Sequence, residues 1–485
     1  MSFLLFIIIF IEGYVVLASE LLAIRLVIPW VGSGTDVISI VIAAVLLPLA
    51  FGYHFGGRFQ AIRKAKGLGF MSIRKKLLRN IMISAVILCL GLSYTLLGGF
   101  FASLYELGIE HRLLQVAIYS GIFLIYPVFL LGQTIPLISH YYSSHKLAEM
   151  TGKMLFFSTV GSFMGSIFST VVLMSTIGVH NTAIFITALL SLLIILLMKR
   201  QQMAPLVIAV AVLAVSFHFN SGEEMERRGI VNNNGYNTIH VLPYAGVPKD
   251  DATIMMLNDN ASSSYKEGVG SIYNYAKYIE THYIKPLNGE EEPKKILVLG
   301  AAGFTLGLYD TYNHYTFVDI DPDLKEVAET EFLKQKLTPN KKFEVVGARG
   351  FLTKAAQNGE TFDLVIQDTF SGGYSVPEHL VTREYFEQVR SVLKQGSVMI
   401  MNTLASATFE DTYSRRLDNT VRSVFPRMSR FSVPGVGDGY NGWKSTKISR
   451  GLYSTNVVYT YHHNPEGDIE DEIWTDDKNT VFLDK

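Results

Sequence analysis

The run ILVLGAAGFTLGLYDTYNHYTFVDID, residues 296–321, decides the fold of this 485-residue chain. Four apolar residues, Ile296 to Leu299, lead into a turn bearing Gly300 and Gly303; a helical segment is expected next, and a second apolar run ends in Asp319. Strand, glycine turn, helix and a second strand closing on an acid form the first half of a nucleotide-binding βαβ unit. The glycines let the backbone turn tightly and leave amide groups near a helix start, suited to a polar or anionic ligand group. Such a turn needs glycine for structure alone, so by themselves these two discriminate little. Asp319 stands where a carboxylate accepts hydrogen bonds from ribose hydroxyls. Asp321, ahead of Pro322, reads as a helix cap.

Downstream the pattern repeats. Apolar strands are expected at 343–346, 363–367 and 397–401, alternating with helices, which implies a parallel sheet covered on both faces. Ligands of such sheets bind beyond the carboxyl ends of the strands. Those ends present Gly300–Gly303, Asp319, Gly347–Ala348 and Asp368. Asp368 is followed by a loop with Gly372 and Gly373 that can fold over the crevice. A carboxylate there suits an ammonium group, whose proton it accepts as the amine becomes a nucleophile; the alternative is a carboxylate that only caps the loop.

Upstream the composition changes. Residues 1–220 carry 14 Lys and Arg against 6 Asp and Glu, leaving 28 against 37 for 221–485. An acidic half of this kind attracts cations such as amines and repels nucleic acid. The one cysteine, Cys89, excludes a disulfide framework within the chain. Seven apolar spans are expected, at 2–30, 36–57, 81–100, 113–133, 154–176, 181–198 and 203–219. Loops on one side hold Arg58, Arg63, Lys64, Lys66, Arg74, Lys75, Lys76, Arg79, Lys146, Lys153, Lys199 and Arg200, whereas the alternate loops hold only Arg112. The basic side is cytoplasmic by the charge rule, so an odd count places residues 220–485 outside the cytoplasm of a multi-pass plasma (inner) membrane protein. Gly52 with Gly56, and Gly161 with Gly165 and Ser169, predict close helix contacts. Glu12 and Glu20, inside the first span, face either a structural hydrogen-bond partner or a functional one, because a carboxylate in hydrocarbon is costly. Arg25 and His54 lie where they can snorkel. Polar residues 220–229 read as a linker, 236–243 and 253–257 as strands separated by a turn holding Gly246, Pro248 and Asp250, and 271–283 as a tyrosine-rich helix.

Taken together, ILVLGAAGFTLG, FVDIDPDLKEVA, FEVVGARGFL, FDLVIQDTF and LKQGSVMIMN resemble the spermidine synthase (polyamine aminopropyltransferase) family. DTFSGGYSVPEHLVTRE and WTDDKNTV, with Thr475, Asp476 and Asp477, are similar to the subgroup fused behind a multi-span membrane domain. YNTIHV resembles its β-hairpin entry; SELLAIRLVIPWVGS and LLGQTIPLISHYY resemble its membrane part. The resemblance implies a transmembrane helical domain over 1–219, a linker and small β/helical entry region over 220–285, and a Rossmann-like α/β domain of methyltransferase and spermidine synthase type over 286–485. It implies attack of an amine on decarboxylated S-adenosylmethionine or a related adenosyl ligand. Asp368 is then the catalytic acid, Gly300, Ala302, Gly303, Asp319 and Ala348 the cofactor-binding set, and Thr369, Ser371 and His379 the substrate loop. Expected partners are membrane lipid, a polyamine or other cationic small molecule, and a second copy of the chain; no nucleic acid and no metal set is expected. The sequence departs from the family at three acids: the glycine-loop aspartate is replaced at Ala302 or Gly303, the aspartate after strand three is Ala348, and the second aspartate beyond Asp368 is Ser371. Losing a carboxylate that pairs with a charged amine weakens binding by several kcal/mol, so a changed donor or acceptor is expected. The alternative is a non-catalytic polyamine- or cation-binding, transport-coupled membrane protein.

Overall fold

The computed structural model describes residues 2–32, 34–65, 71–142, 147–199, 201–244, 251–258, 260–370, 376–406, 408–433, 447–448, 452–463 and 476. Ser371, Gly372, Gly373, Thr475, Asp477 and the turn with Gly246, Pro248 and Asp250 lie outside the described residues, as do Lys66, Lys146 and Arg200. The chain divides into two compact units: residues up to Arg228 with Asn233–Gly235, and Gly229–Asn232 with the chain from Tyr236 onward.

The first unit is helical: α1 (Ser2–Val31), α2 (Thr35–Gly57), α3 (Phe59–Ala65), α4 (Ile73–Gly91), α5 (Tyr94–Glu106), α6 (Arg112–Ser139), α7 (Leu147–Thr176), α8 (Gly178–Leu197), α9 (Met203–Asn220) and α10 (Gly222–Arg227). Six of its helices are long and apolar enough to cross a membrane, and α4 with α5 forms a further pair bent by 70°. The span expected at 81–100 therefore runs over a break. Its cause is a cap supplied by another helix: Tyr94 N–H donates to Asn220 Oδ1 (2.9 Å) and Thr95 Oγ1 to the Phe219 carbonyl (2.9 Å).

The small-residue spacings act as expected. A Cβ at Gly161 or Gly165 would strike the Phe10 or Tyr14 carbonyl, and Tyr14 and Ser169 share a 2.8 Å hydrogen bond, so α1 and α7 pack backbone to backbone. Gly52 likewise meets the Phe129 carbonyl. Arg25 does not snorkel; it is buried and its Nε donates to the Asn234 carbonyl at 3.0 Å. The polar stretch read as a linker contains α10, because Ser221 accepts the Glu224 amide and caps a helix there.

The second unit begins with an antiparallel sheet ordered β1 (Ile230–Asn233), β2 (Thr238–Pro243), β3 (Thr253–Leu257) and β4 (Asn260–Tyr265), followed by α11 (Asn274–Ile279), whose helical course continues to Leu287. The main sheet is built from β5 (Lys295–Leu299), β6 (His314–Asp319), β7 (Lys341–Val345), β8 (Phe362–Gln367), β9 (Leu393–Ser406), β10 (Ser429–Val433), the short β11 (Lys447–Ile448) and β12 (Leu452–His462). Its order is β10-β12-β9-β8-β5-β6-β7, parallel from β9 through β7, with β12 and β10 antiparallel at one edge. Helices α12 (Leu324–Val327, continued to Phe332), α13 (Ala348–Gln357), α14 (Arg383–Ser391) and α15 (Thr412–Arg422) join the strands. Central strands are apolar throughout because both faces are covered: Ile296, Leu297, Val298 and Leu299 are all essentially buried.

One expectation fails. No helix follows Gly300: residues 300–313 are consecutive turns, with Gly300, Ala302, Phe304 and Gly307 at positive φ. Residues alternating into the left-handed region cannot continue a helix. Phe304, fully buried against Phe317 and Phe343, covers the sheet where the helix would have lain.

Candidate active site

The strand order reverses between β5 and β8, because the chain leaves β5 for β6 and β7 on one side and returns to β8 on the other. A crevice opens at such a switch point beyond the carboxyl ends. Gly300 and Asp368 are its two lips. Asp368 N–H donates to the Leu299 carbonyl (2.8 Å), and a Cβ at Gly300 would collide with the Asp368 carbonyl, so close approach and a φ of +92° both demand glycine there.

Asp368 is fixed at both oxygens. Tyr275 Oη, on α11, donates to Oδ2 at 3.0 Å, and Asn402 Nδ2, on β9, donates to Oδ1 at 2.9 Å. Asn402 is itself held by Asn456 of β12, whose Nδ2 donates to Asn402 Oδ1 at 3.0 Å. Burial pushes the Asp368 carboxyl up to about 6, against the opposing pull of the Asn402 and Tyr275 hydrogen bonds. Burial and then the neighbouring Asp368 charge push the Tyr275 phenol well above its ordinary range, so it stays a donor. The result is a desolvated carboxylate, ionised at neutral pH and locked in one orientation. Such a carboxylate is able to accept a proton from a group placed against it.

The glycine turn does something other than expected. Its amides are already engaged: Ala301 N–H donates to Asp319 Oδ2 (3.0 Å) and Gly303 N–H to Ser263 Oγ (3.0 Å). A Cβ at Gly303 would strike the Phe332 ring and lie 2.8 Å from Ser263 Cβ, so the space an acidic side chain needs is filled. Ala302, at φ +39°, adds a strained turn residue and no polar side-chain group. Asp319 accepts one amide on each oxygen, the other coming from Asp321 at 3.2 Å, and burial raises its carboxyl. Ala302 and Gly303 bring no carboxylate to the turn. Asp321 makes a turn, accepting the Asp323 amide at 3.1 Å, and also accepts Asn237 Nδ2 at 2.7 Å.

Ala348 opens α13, beside Gly347, where a Cβ would meet open space. Next to it Arg349 grips Asp476 through two 2.8 Å hydrogen bonds, and Thr382 Oγ1 donates to Asp476 Oδ1 at 2.8 Å. Neither Thr369 nor His379 bonds Asp368: Thr369 Oγ1 is buried without a partner among the described residues, and His379 feels Arg349 and Asp476. Burial and then Arg349 lower the His379 imidazole. Tyr275, Asn402, Asn456 and Arg349 were absent from the sequence reading. Only the tyrosine-rich run before β5 and the Asn ending an apolar run in β9 hinted at the first two.

Residues 277–450 match the spermine/spermidine synthase domain family. The chain is 31% identical over 147 residues to the polyamine aminopropyltransferase of Vibrio vulnificus (strain CMCP6), covering 30% of this chain and 47% of that protein. It thus spans about half the length of that relative. It is 24% identical over 229 residues to the polyamine aminopropyltransferase of Pyrobaculum calidifontis, covering 44% and 76% of the two chains. Among solved structures it is similar to a probable spermidine synthase from Corynebacterium glutamicum (TM-score 0.37, 19% identity, 48% of this chain and 79% of that one). A second is the spermidine synthase from Thermotoga maritima (TM-score 0.34, 16% identity, 50% and 79%). The strand order and the glycine turn lie within the region from 277 to 450 that matches the spermine/spermidine synthase domain family.

Proposed function

We propose that this chain is a membrane-bound transferase in which Asp368 binds and deprotonates an amine as that amine attacks an adenosyl-type donor, with donor or acceptor changed from ordinary spermidine synthesis. The observation that carries the reading is the carboxylate of Asp368, held by Tyr275 and Asn402 at the switch point. An adenosyl sulfonium, when bound, supplies an electrophilic carbon. Asp319 would hold its ribose. Asp368 takes the proton of the acceptor ammonium and frees its lone pair, while Tyr275 and Asn402 keep the carboxylate oriented. The filled place beside Gly303 argues for a donor without the aminopropyl ammonium, or for an acceptor that compensates for it.

The bundle supports a count of seven crossings. Arg74, near the start of α4, donates to the Leu197 and Met198 carbonyls (2.6 and 2.7 Å) at the end of α8. The start of α5, three residues past the far end of α4, meets the far end of α9 at Asn220. Helix α4 therefore traverses the same thickness as α8 and α9, and its 19 residues measure about 28 Å. On this count the synthase-type domain lies on the side opposite the basic loops, away from the cytoplasm where adenosyl donors are made. Lipid, or an amine presented at the membrane surface, then becomes a natural acceptor.

The test is release of a thioether nucleoside by the full chain in lipid nanodiscs, with decarboxylated S-adenosylmethionine and S-adenosylmethionine offered as donors beside a panel of soluble and lipid-linked amines. Turnover abolished in Asp368→Asn supports the transferase. Tag accessibility of residue 485 in intact cells checks the side. A second reading is favoured by the same filled place at Gly303: the domain binds a polyamine at Asp368 without turnover. Saturable spermidine binding that needs Asp368, with no product from any donor, would select it.

A further inference from the structure

We infer that Glu12, on α1, is the acceptor of a cation site inside the helical bundle, one that takes a proton or an ammonium group. Glu12 is 3% exposed. Several polar groups of the bundle interior find protein partners: Tyr14 pairs with Ser169, Asn80 Nδ2 donates to Gln133 Oε1 (3.0 Å), and Ser216 donates to Thr187 (3.1 Å). Among the described residues no hydrogen bond or ion pair reaches the Glu12 carboxylate. A carboxylate retained as structural glue would have a donor; among the described residues this one has none.

Among the described residues no protein cation compensates it. The helices packed against α1 are α2, α5, α6, α7 and α8. Of their titratable groups, Asp36 of α2 and Arg112 of α6 pair with each other (2.6 Å), and Glu149 with Lys153 of α7 (2.5 Å). His54 faces Arg58, and His180 of α8 faces Asn181. Tyr53 of α2 lies within electrostatic range of Glu12, and a phenol brings no positive charge. Glu20, 6% exposed, is a second acid on α1 with no partner among the described residues, eight residues on and displaced around the helix from Glu12. An acid with no counter-charge in a low-dielectric interior holds either a proton or a cation from outside the protein. An ionised carboxylate only accepts hydrogen bonds, which selects a ligand that donates them.

Infrared difference spectroscopy on the full chain in nanodiscs tests this, comparing spermidine-loaded with spermidine-free samples and one pH with another. The expected result is a protonated-carboxyl stretch that is lost in Glu12→Gln, shifts in Glu12→Asp and survives Glu20→Gln. Loss of the band on adding spermidine at fixed pH assigns the ammonium. Loss only on raising pH assigns the proton. Absence of any Glu12-dependent band in both comparisons, or a band that depends on Glu20 alone, overturns the proposal. The readout does not involve transfer at Asp368, so its failure and that of the transferase reading are separable.

Discussion

Asp368 and Glu12 are both carboxylates withdrawn from water, and they are held in opposite ways. Asp368 has a donor on each oxygen, Tyr275 on one and Asn402 on the other, with Asn456 behind. Glu12 has a packed apolar environment and no donor among the described residues. Desolvation alone lets a carboxyl take up a charge partner or a proton from elsewhere; desolvation with fixed donors keeps it ionised and aimed. Geometry, more than burial, separates a base from a site that waits for a cation.

The largest effect expected is on turnover. Replacing Asp368 by Asn keeps the shape and removes the base, so kcat should fall about 100- to 10,000-fold. Asn402→Ala leaves the acid but frees one oxygen, and should lower kcat less while moving the acid limb of the pH–rate profile upward, since a donor that favours the charged form is lost. Equal losses in the two variants, with no shift of the profile, would break the contrast between base and holder.

Stability should move the other way. The Asp368 carboxyl is raised to about 6 in the folded chain, above its unfolded value. Its protonated form therefore favours folding fully at pH below the unfolded value, and that contribution is lost as pH rises through about 6, by about 3 kcal/mol. Activity requires the ionised form, so turnover rises over the window in which stability falls. Asp368→Asn should remain neutral throughout and be more stable than the parent at pH 7, with the gain vanishing near pH 4. Denaturant titrations at the two pH values measure it.

Gly303 shows where reading the sequence alone stopped. The sheet was legible because buried parallel strands are continuous apolar runs, as at Ile296–Leu299, and because the strand ends carry Gly300, Asp319 and Asp368. That Gly303 lacks an acid was also visible. What filled the space was not: Phe332 and Ser263 lie 29 and 40 residues away in the chain and arrive only through tertiary packing. The same holds for Tyr275 and Asn402, which reach Asp368 from two different elements, and for Asn456, which holds Asn402 from a third. The missing helix after Gly300 failed for a local reason, since left-handed φ at Ala302 and Phe304 leaves no signature in residue type. Gly303→Asp should therefore not restore an ammonium site. It should destabilise the domain by about 1–3 kcal/mol through overpacking against Phe332, and Gly303→Asp with Phe332→Ala should recover part of that loss and any affinity for an aminopropyl donor.

The smallest effect expected concerns Arg349 and Asp476, and its sign with pH is opposite to that of Asp368. The bidentate hydrogen bonds from Arg349 hold the Asp476 carboxyl below its ordinary range. Such a group stabilises above its unfolded value and loses that contribution as pH falls through the folded one. The pair is half-exposed, 25% and 42% by side chain, so solvent screening limits it to about 1 kcal/mol or less. Asp476→Asn should cost that much at pH 7, less in high salt, and nothing once pH has fallen below the folded value of the carboxyl. Thermal melts of the parent should then pass through a shallow maximum near pH 4–5, with Asp368→Asn flattening the alkaline side and Asp476→Asn the acidic side. A profile in which both variants flatten the same side would mean that the two carboxyls are not the opposed pair their surroundings make them.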